Sequence, residues 1–330
     1  MKDTRGGWFN RLLSLSKPAL AKSGDVTFPS DFMASLERLR LLALKAMGGG
    51  VREGHRLGAY KGGQLEFHGH RNYSPGDELR YVDWNTYARL GKPYVKEFAR
   101  EEAGVLHLLI DATASMSLGH PSKWTFARRV AALFHHVALS SKDLSCLYIY
   151  RGTGALDRFP GQSRQGGTRE CLAFLEAARI RPAADADGVA HARSDGALLD
   201  AAVQFLRGRP VKGRVIVISD FWYEEQEIVA AVSRLTSAGY DLSGIHVLAE
   251  DELATDAQGA VLARSLEEEA EVDFFASGDF SSRYTAELEK HRASIEDTFR
   301  RRGGSYLFEK SSTSIERVLI ATLRQRRWVM

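Results

Sequence analysis

Cysteine is almost missing from this chain, with only Cys146 and Cys171 among 330 residues. The first lies in an apolar run and the second in a helical pattern, and neither belongs to a Cys-x-x-Cys pair or a Cys/His metal spacing. A disulfide framework and a thiolate metal site are excluded, and the two read as buried thiols in a reducing compartment. Apolar runs of the roughly 20 residues that a membrane helix requires are missing too. The leading stretch from Trp8 to Leu20 is broken by Arg11 and Lys17, where a secretory signal needs an uninterrupted apolar core. A cytoplasmic location is expected. The chain also lacks a Gly-x-x-x-x-Gly-Lys-Ser/Thr phosphate loop, and Gly152-x-Gly154 lacks the rest of a dinucleotide fingerprint, so ATP binding by the chain itself is not expected. No internal repeat or low-complexity tract appears.

The length calls for more than one core, because a single core seldom grows far past about 250 residues. The formal charge of +3 hides an asymmetry: residues 1–100 carry 17 basic and 10 acidic side chains, and the remainder is net acidic. Such a difference fits either an acidic partner or a basic module lying on its own acidic neighbour. Residues 1–28 have weak periodicity and read as a flexible lead-in. From Ser30 and Asp31, which can cap a helix, Phe32, Leu36, Leu39, Leu42 and Ala43 recur at helical spacing until Gly48-Gly49-Gly50. Residues 51–100 mix aromatic, basic and Gly/Pro positions, with Pro93 to Phe98 alternating as a strand. Residues 51–100 are expected to form a small, irregular β-rich module, grouped with the preceding helix as one unit of residues 29–102.

From residue 103 to 330 the pattern changes. Short, nearly continuous apolar runs at Val105–Ile110, Leu144–Tyr150, Val215–Ile218 and Ile245–Leu248 alternate with helical patterns such as Phe126, Val130, Phe134 and Val137. Strands buried on both faces have this signature, and the alternation predicts an α/β fold with a doubly wound, mostly parallel sheet. Two further strands are expected at Val261–Leu266 and Val272–Ala276. A long helix from about Phe280 to Arg302, a strand at Ser305–Phe308 and a last helix from Ser314 follow.

Ligands of such sheets gather at the carboxyl ends of the strands. The first strand ends in Asp111-Ala112-Thr113-Ala114-Ser115-Met116, where alternate oxygen-bearing side chains can point the same way. Carboxylate and hydroxyl oxygens suit a hard divalent ion such as Mg²⁺. Val215–Ile218 runs into Ser219-Asp220-Phe221, which makes Asp220 the natural second carboxylate. The plainer alternative is that Asp111 and Asp220 cap the segments that follow them.

Asp111-x-Thr113-x-Ser115-Met116 with Asp220 resembles the metal-ion-dependent adhesion site of von Willebrand factor A domains. Upstream, Arg71-Asn72-Tyr73-Ser74-Pro75-Gly76-Asp77, Arg80-Tyr81-Val82-Asp83-Trp84-Asn85, Ala88-Arg89 and Tyr94-Val95-Lys96-Glu97-Phe98 resemble the block that precedes an A-like domain in the bacterial family called domain of unknown function 58. Lys123, the Ser219-Asp220-Phe221 turn, His246-Val247-Leu248 with Glu252, and Tyr284 agree with it, so the likeness spans roughly residues 50–325. It implies a von Willebrand factor A-like, Rossmann-like fold and metal ligation by Asp111, Thr113, Ser115 and Asp220. It also implies a role as partner of MoxR-type AAA+ ATPases in assembly or maturation of protein complexes. Two departures stand out. Thr113 replaces a more usual Ser, and the third-loop hydroxyl would fall near Ala197, where only Ser194 and Asp195 can substitute.

Two other classes compete. Asp111 at a strand end also resembles the nucleophile loop of haloacid dehalogenase-type phosphatases, but Thr113 stands where the proton donor belongs and Phe221 where a second acid is needed. Nucleic-acid binding would rest on Arg52, Arg56, Lys61, His68, His70 and Arg71 interleaved with Tyr60, Phe67 and Tyr73. Against it, Asp77, Asp83, Glu97 and Glu101 lie close in sequence to Arg71, Arg80, Arg89 and Lys96, which favours internal pairing of the block, with Trp84 as a packing anchor. The expectation is therefore a binding module without chemistry of its own.

Overall fold

The computed structural model describes residues 27–46, 65–100, 104–152, 154, 156–163, 166–180, 196–253, 259–264, 271–276 and 279–324. The chain divides into two compact units, one of residues 51–103 and one of residues 1–50 with 104–330. The first helix, α1 (Phe32–Ala46), has the predicted spacing: Phe32, Leu36, Leu39 and Ala43 are buried, whereas Leu42 is exposed. Its assignment to the small module is corrected. The apolar stripe of α1 joins the core that contains Val130, Val318 and Leu319 of the larger unit, so burial overrides nearness along the chain.

The small unit is an antiparallel hairpin enclosing a helix. Strand β1 (Leu65–Asn72) pairs with β2 (Tyr94–Arg100), with Arg71 opposite Val95 and a register shift between Phe67 and Gly69. Between them lies α2 (Trp84–Leu90). Asp83 starts this helix by accepting from the backbone N–H groups of Asn85 and Thr86, and Gly91, at φ 65°, ends it in the left-handed conformation that glycine favours.

The larger unit continues with β3 (Val105–Asp111), a 3-10 turn at Ala114–Ser117, α3 (Lys123–Ser140), β4 (Leu144–Tyr150), β5 (Asp157–Gln162) and α4 (Gly167–Ala177). Next come α5 (Ala197–Arg207), β6 (Arg214–Ser219), α6 (Glu225–Ser237), β7 (Asp241–Leu248) and the short α7 (Glu250–Leu253). An antiparallel hairpin of β8 (Gly259–Arg264) and β9 (Glu271–Ala276) follows, then α8 (Phe280–Arg301), β10 (Ser305–Lys310) and α9 (Ile315–Arg324).

Six of these strands form one sheet in the order β10-β7-β6-β3-β4-β5. All neighbours are parallel except β5, which runs antiparallel to β4. Successive residues of β3 feed opposite faces. Leu106, Leu108 and Ile110 pack with α1, α3 and α9, whereas Leu109 packs with side chains of α5, α6 and α8. This is the doubly wound, von Willebrand factor A-like class that the sequence predicts. Close approach is enforced at Gly244 in β7, where an added Cβ would stand 2.5 Å from the Phe299 ring of α8. Strand β5 escaped the sequence reading because it contains Pro160 and Gly161 and buries only Phe159; as an edge strand it tolerates the missing N–H.

Candidate functional site

Asp111 is the last residue of β3 and Asp220 the first after β6. These strands are adjacent and parallel, with Ile110 opposite Ile218, so both carboxylates lie at the carboxyl end of the sheet. Asp111 is wholly buried. Its Oδ1 accepts from the Thr113 N–H at 2.9 Å, and its Oδ2 accepts from the Ser219 hydroxyl at 2.7 Å and the Tyr223 hydroxyl at 2.6 Å. Thr113 and Ser115 turn their hydroxyls toward each other, 3.1 Å apart. Burial first, and the neighbouring Asp220 charge second, raise the Asp111 carboxyl to about 6, against the pull of its three donors. The Tyr150 hydroxyl, on the residue opposite Asp111 in β4, is buried beside the Tyr223 and Ser219 hydroxyls, and burial foremost holds it well above its ordinary pKa.

Asp220 is engaged by an ammonium group. Lys123, the first residue of α3, reaches Asp220 Oδ2 at 2.7 Å and Glu252 Oε1 of α7 at 2.6 Å, and all three side chains are buried. Burial alone would lower the Lys123 pKa, but the charges of Asp220 and Glu252 outweigh it and hold the group above its ordinary value. Glu252 is fixed in turn. Its Oε2 accepts from the Ala249 N–H at 2.7 Å, its Oε1 accepts from the Trp222 indole at 3.2 Å, and its carbonyl accepts from the Tyr284 hydroxyl at 2.8 Å. The turn after β6 carries a positive φ of 51° at Phe221, whose N–H donates to Ser219 Oγ at 2.8 Å. Trp222 then stacks on His291, with ring centroids 5.1 Å apart.

The structure thus brings Asp111, Thr113, Ser115 and Asp220 to one end of the sheet. Ser194 and Asp195, the candidate third loop, lie outside the described residues. Ala197 begins α5 and is buried, and Glu227 of α6 takes the place of a hydroxyl there. Its carboxylate accepts from the N–H groups of Gly196, Leu198 and Leu199 at 2.9, 2.9 and 3.2 Å. Glu227, Tyr223 and Tyr150 were missed because nothing in their local pattern marks them.

Asp111, Thr113 and Ser115 offer oxygens of the right kind for Mg²⁺, but the set of four does not fit the ion as the resemblance implies. A dication in contact with Asp220 would face the Lys123 ammonium at close range. Among the described residues no group of three or more His, Cys, Asp or Glu side chains is arranged to hold a metal ion.

The upstream block divides into a bonded part and an exposed part. Arg71 grips Asp77 through two bonds of 2.6 Å, and the Ser74 N–H donates to the same carboxylate at 2.8 Å. Arg71 foremost, then Ser74, lower the Asp77 carboxyl to about 2. Gly76 supports the turn with a φ of 109°, and the Tyr73 N–H donates to the Pro93 carbonyl. Asp83 meets His70 Nε2 at 2.7 Å and Lys96 at 4.0 Å, and His70 first among its partners holds the carboxyl below the usual range. Arg80 departs from the expected pairing: it is exposed, pairs with exposed Glu78 and lies over the Tyr81 ring. Trp84 is no packing anchor either, being 59% exposed and set edge-on to Tyr87. Arg89 is exposed on α2, and Glu97 lies in β2. Of the basic and aromatic positions weighed for nucleic acid, Arg52, Arg56, Tyr60 and Lys61 lie outside the described residues.

Comparison with known proteins places these features in a family. A family model described as "Protein of unknown function DUF58" matches residues 69–294, and the chain belongs to that family. It is 27% identical over 292 residues to the uncharacterized protein Rv1480 of Mycobacterium tuberculosis, with 86% of each chain covered. Uncharacterized protein Mb1516 of Mycobacterium bovis shows the same identity and coverage. Among solved structures it is similar to BatB from Bacteroides thetaiotaomicron, with 14% identity, a TM-score of 0.41, and coverage of 68% of this chain and 100% of that one. An aerotolerance-related membrane protein from Bacteroides fragilis gives 16% identity and a TM-score of 0.42, covering 69% and 100%. The fold class rests on the strand order given above. No helix among the described residues is long and apolar enough to cross a membrane.

Proposed function

We propose that the chain is a non-enzymatic protein-binding module that engages its partner through the loops at the carboxyl end of the six-stranded sheet. The observation that carries this reading is the state of the polar groups there. Lys123 is locked between two carboxylates and Asp111 accepts three donors, so neither is free to act as a base or nucleophile. Because Asp111, Thr113 and Asp220 are buried, their part is to set the shape of loops whose outer residues make the contact. The family likeness suggests a MoxR-type AAA+ ATPase, or a client complex it acts on, as the partner.

The test is titration of the purified chain against a purified MoxR-type ATPase from the same source. Asp111→Asn should weaken association at least tenfold while the circular dichroism spectrum stays that of the parent. Phosphatase or ATP hydrolysis by the chain alone that disappears in Asp111→Asn would overturn the non-enzymatic reading.

A further inference from the structure

We infer that Lys123 is the resident cation of the carboxyl-end site, and that the loops there take their shape from its ammonium group without a divalent ion. Three observations converge on this. First, the Lys123 ammonium is fully buried and touches one carboxylate from the end of β6 and one from α7, at 2.7 and 2.6 Å. A single positive charge therefore joins three segments: the start of α3, the turn after β6 and the short helix α7. Second, the partners of Lys123 are held by other bonds, Asp220 Oδ1 by the Trp222 N–H at 3.3 Å and Glu252 Oε2 by the Ala249 N–H at 2.7 Å. The carboxylates are thus aimed at the ammonium and do not swing freely between ligands.

Third, among the described residues, the start of α5 and Asp111 are also engaged from within the protein. At the start of α5, Ala197 offers no oxygen side chain, and the N–H groups around it point to Glu227. Asp111 Oδ2 already accepts two hydroxyls. A dication placed beside Asp220 would have to displace or repel a fully buried ammonium, and a buried cation stripped of its carboxylates is heavily penalised.

This inference deepens the proposed use of the site, and it is tested on the isolated full-length chain so that its outcome does not depend on any partner. Mn²⁺ titration followed by electron paramagnetic resonance reads ion binding directly. The parent chain should leave the free-ion spectrum unchanged up to millimolar protein, and its melting temperature should be the same in chelator as in Mg²⁺. Lys123→Met should lower the melting temperature by about 5 °C or more, because two carboxylates lose their counter-charge. The triple variant Lys123→Met, Asp220→Asn, Glu252→Gln keeps the shapes without the charges and should recover most of that loss, which a packing role for Lys123 alone would not predict. If Lys123→Met fails to fold, the triple variant and the Mn²⁺ titration of the parent still decide. Saturable Mn²⁺ binding by the parent that is lost in Asp111→Asn would overturn the inference, as would a triple variant no more stable than Lys123→Met.

Discussion

Ser219 donates its hydroxyl to Asp111 across the ends of two neighbouring strands, 2.7 Å from oxygen to oxygen. The bond ties β6 to β3 at the point where both strands stop, and the Tyr223 hydroxyl reinforces it from the following turn at 2.6 Å. Asp111 is therefore a knot in the fold before it is anything else, and its charge is sustained by donors in a buried place.

That arrangement gives a pH dependence with a definite sign. The Asp111 pKa rises on folding, from 3.8 to about 6. The folded state then holds the proton more tightly, and stability falls as pH rises from about 4 through 6. Two units correspond to about 3 kcal/mol. Asp143, raised to about 6 by burial, works in the same direction, whereas His135, lowered to about 4 by burial, works against both. Asp111→Asn isolates the first contribution: its stability relative to the parent should improve by about 3 kcal/mol between pH 4 and pH 7. Urea unfolding at a series of pH values checks this, and a flat difference curve would contradict it.

The upstream block should respond unevenly to alanine. Asp83→Ala removes the cap of α2 and the partner of His70, and should lower the melting temperature clearly. Arg80→Ala removes an exposed pair with Glu78 and should leave the melting temperature where it is. Parallel thermal melts of the two variants suffice.

Glu227→Ala leaves the N–H groups of Gly196, Leu198 and Leu199 without their acceptor. The expected cost is about 1–2 kcal/mol by denaturant unfolding. Hydrogen exchange should locate the loss of protection in the first turn of α5.

Gly244→Ala sets a methyl group 2.5 Å from the Phe299 ring, at a point where β7 and α8 are in contact. Overpacking of this kind costs about 1–3 kcal/mol. Adding Phe299→Leu to the variant should return part of it, and a variant as stable as the parent would mean that α8 stands off from the sheet.

Legibility followed periodicity. Strands β3, β4, β6 and β7 were readable because burial on both faces leaves unbroken apolar runs, and α8 because its pattern runs through 22 residues. Asp111 and Asp220 were readable as a pair for the same reason: each follows such a run, and the fold places both ends together. The clasp of Lys123 by Asp220 and Glu252 was not. Asp220 and Glu252 lie 97 and 129 positions after Lys123, and no local pattern distinguishes a buried lysine at a helix start from an exposed one. The placement of α1 failed similarly, since its amphipathic stripe announces burial but not against what. Trp84 shows the opposite error: a large aromatic in a recognisable motif invites burial, and here it stands in solvent.

The carboxylate of Glu227 at the start of α5 has a consequence for ligand selectivity. The exposed amides at a helix start attract phosphates and other anions, and doubly wound sheets commonly use such a position to hold them. Here the chain supplies the anion itself, tethered through α6 and so present at a high effective concentration beside those amides. A free phosphate arriving at α5 would have to displace that carboxylate and then remain next to its negative charge. Glu227 thus closes this helix start to phosphate from within the fold, a second obstacle to nucleotide recognition beside the missing glycine-rich phosphate loop.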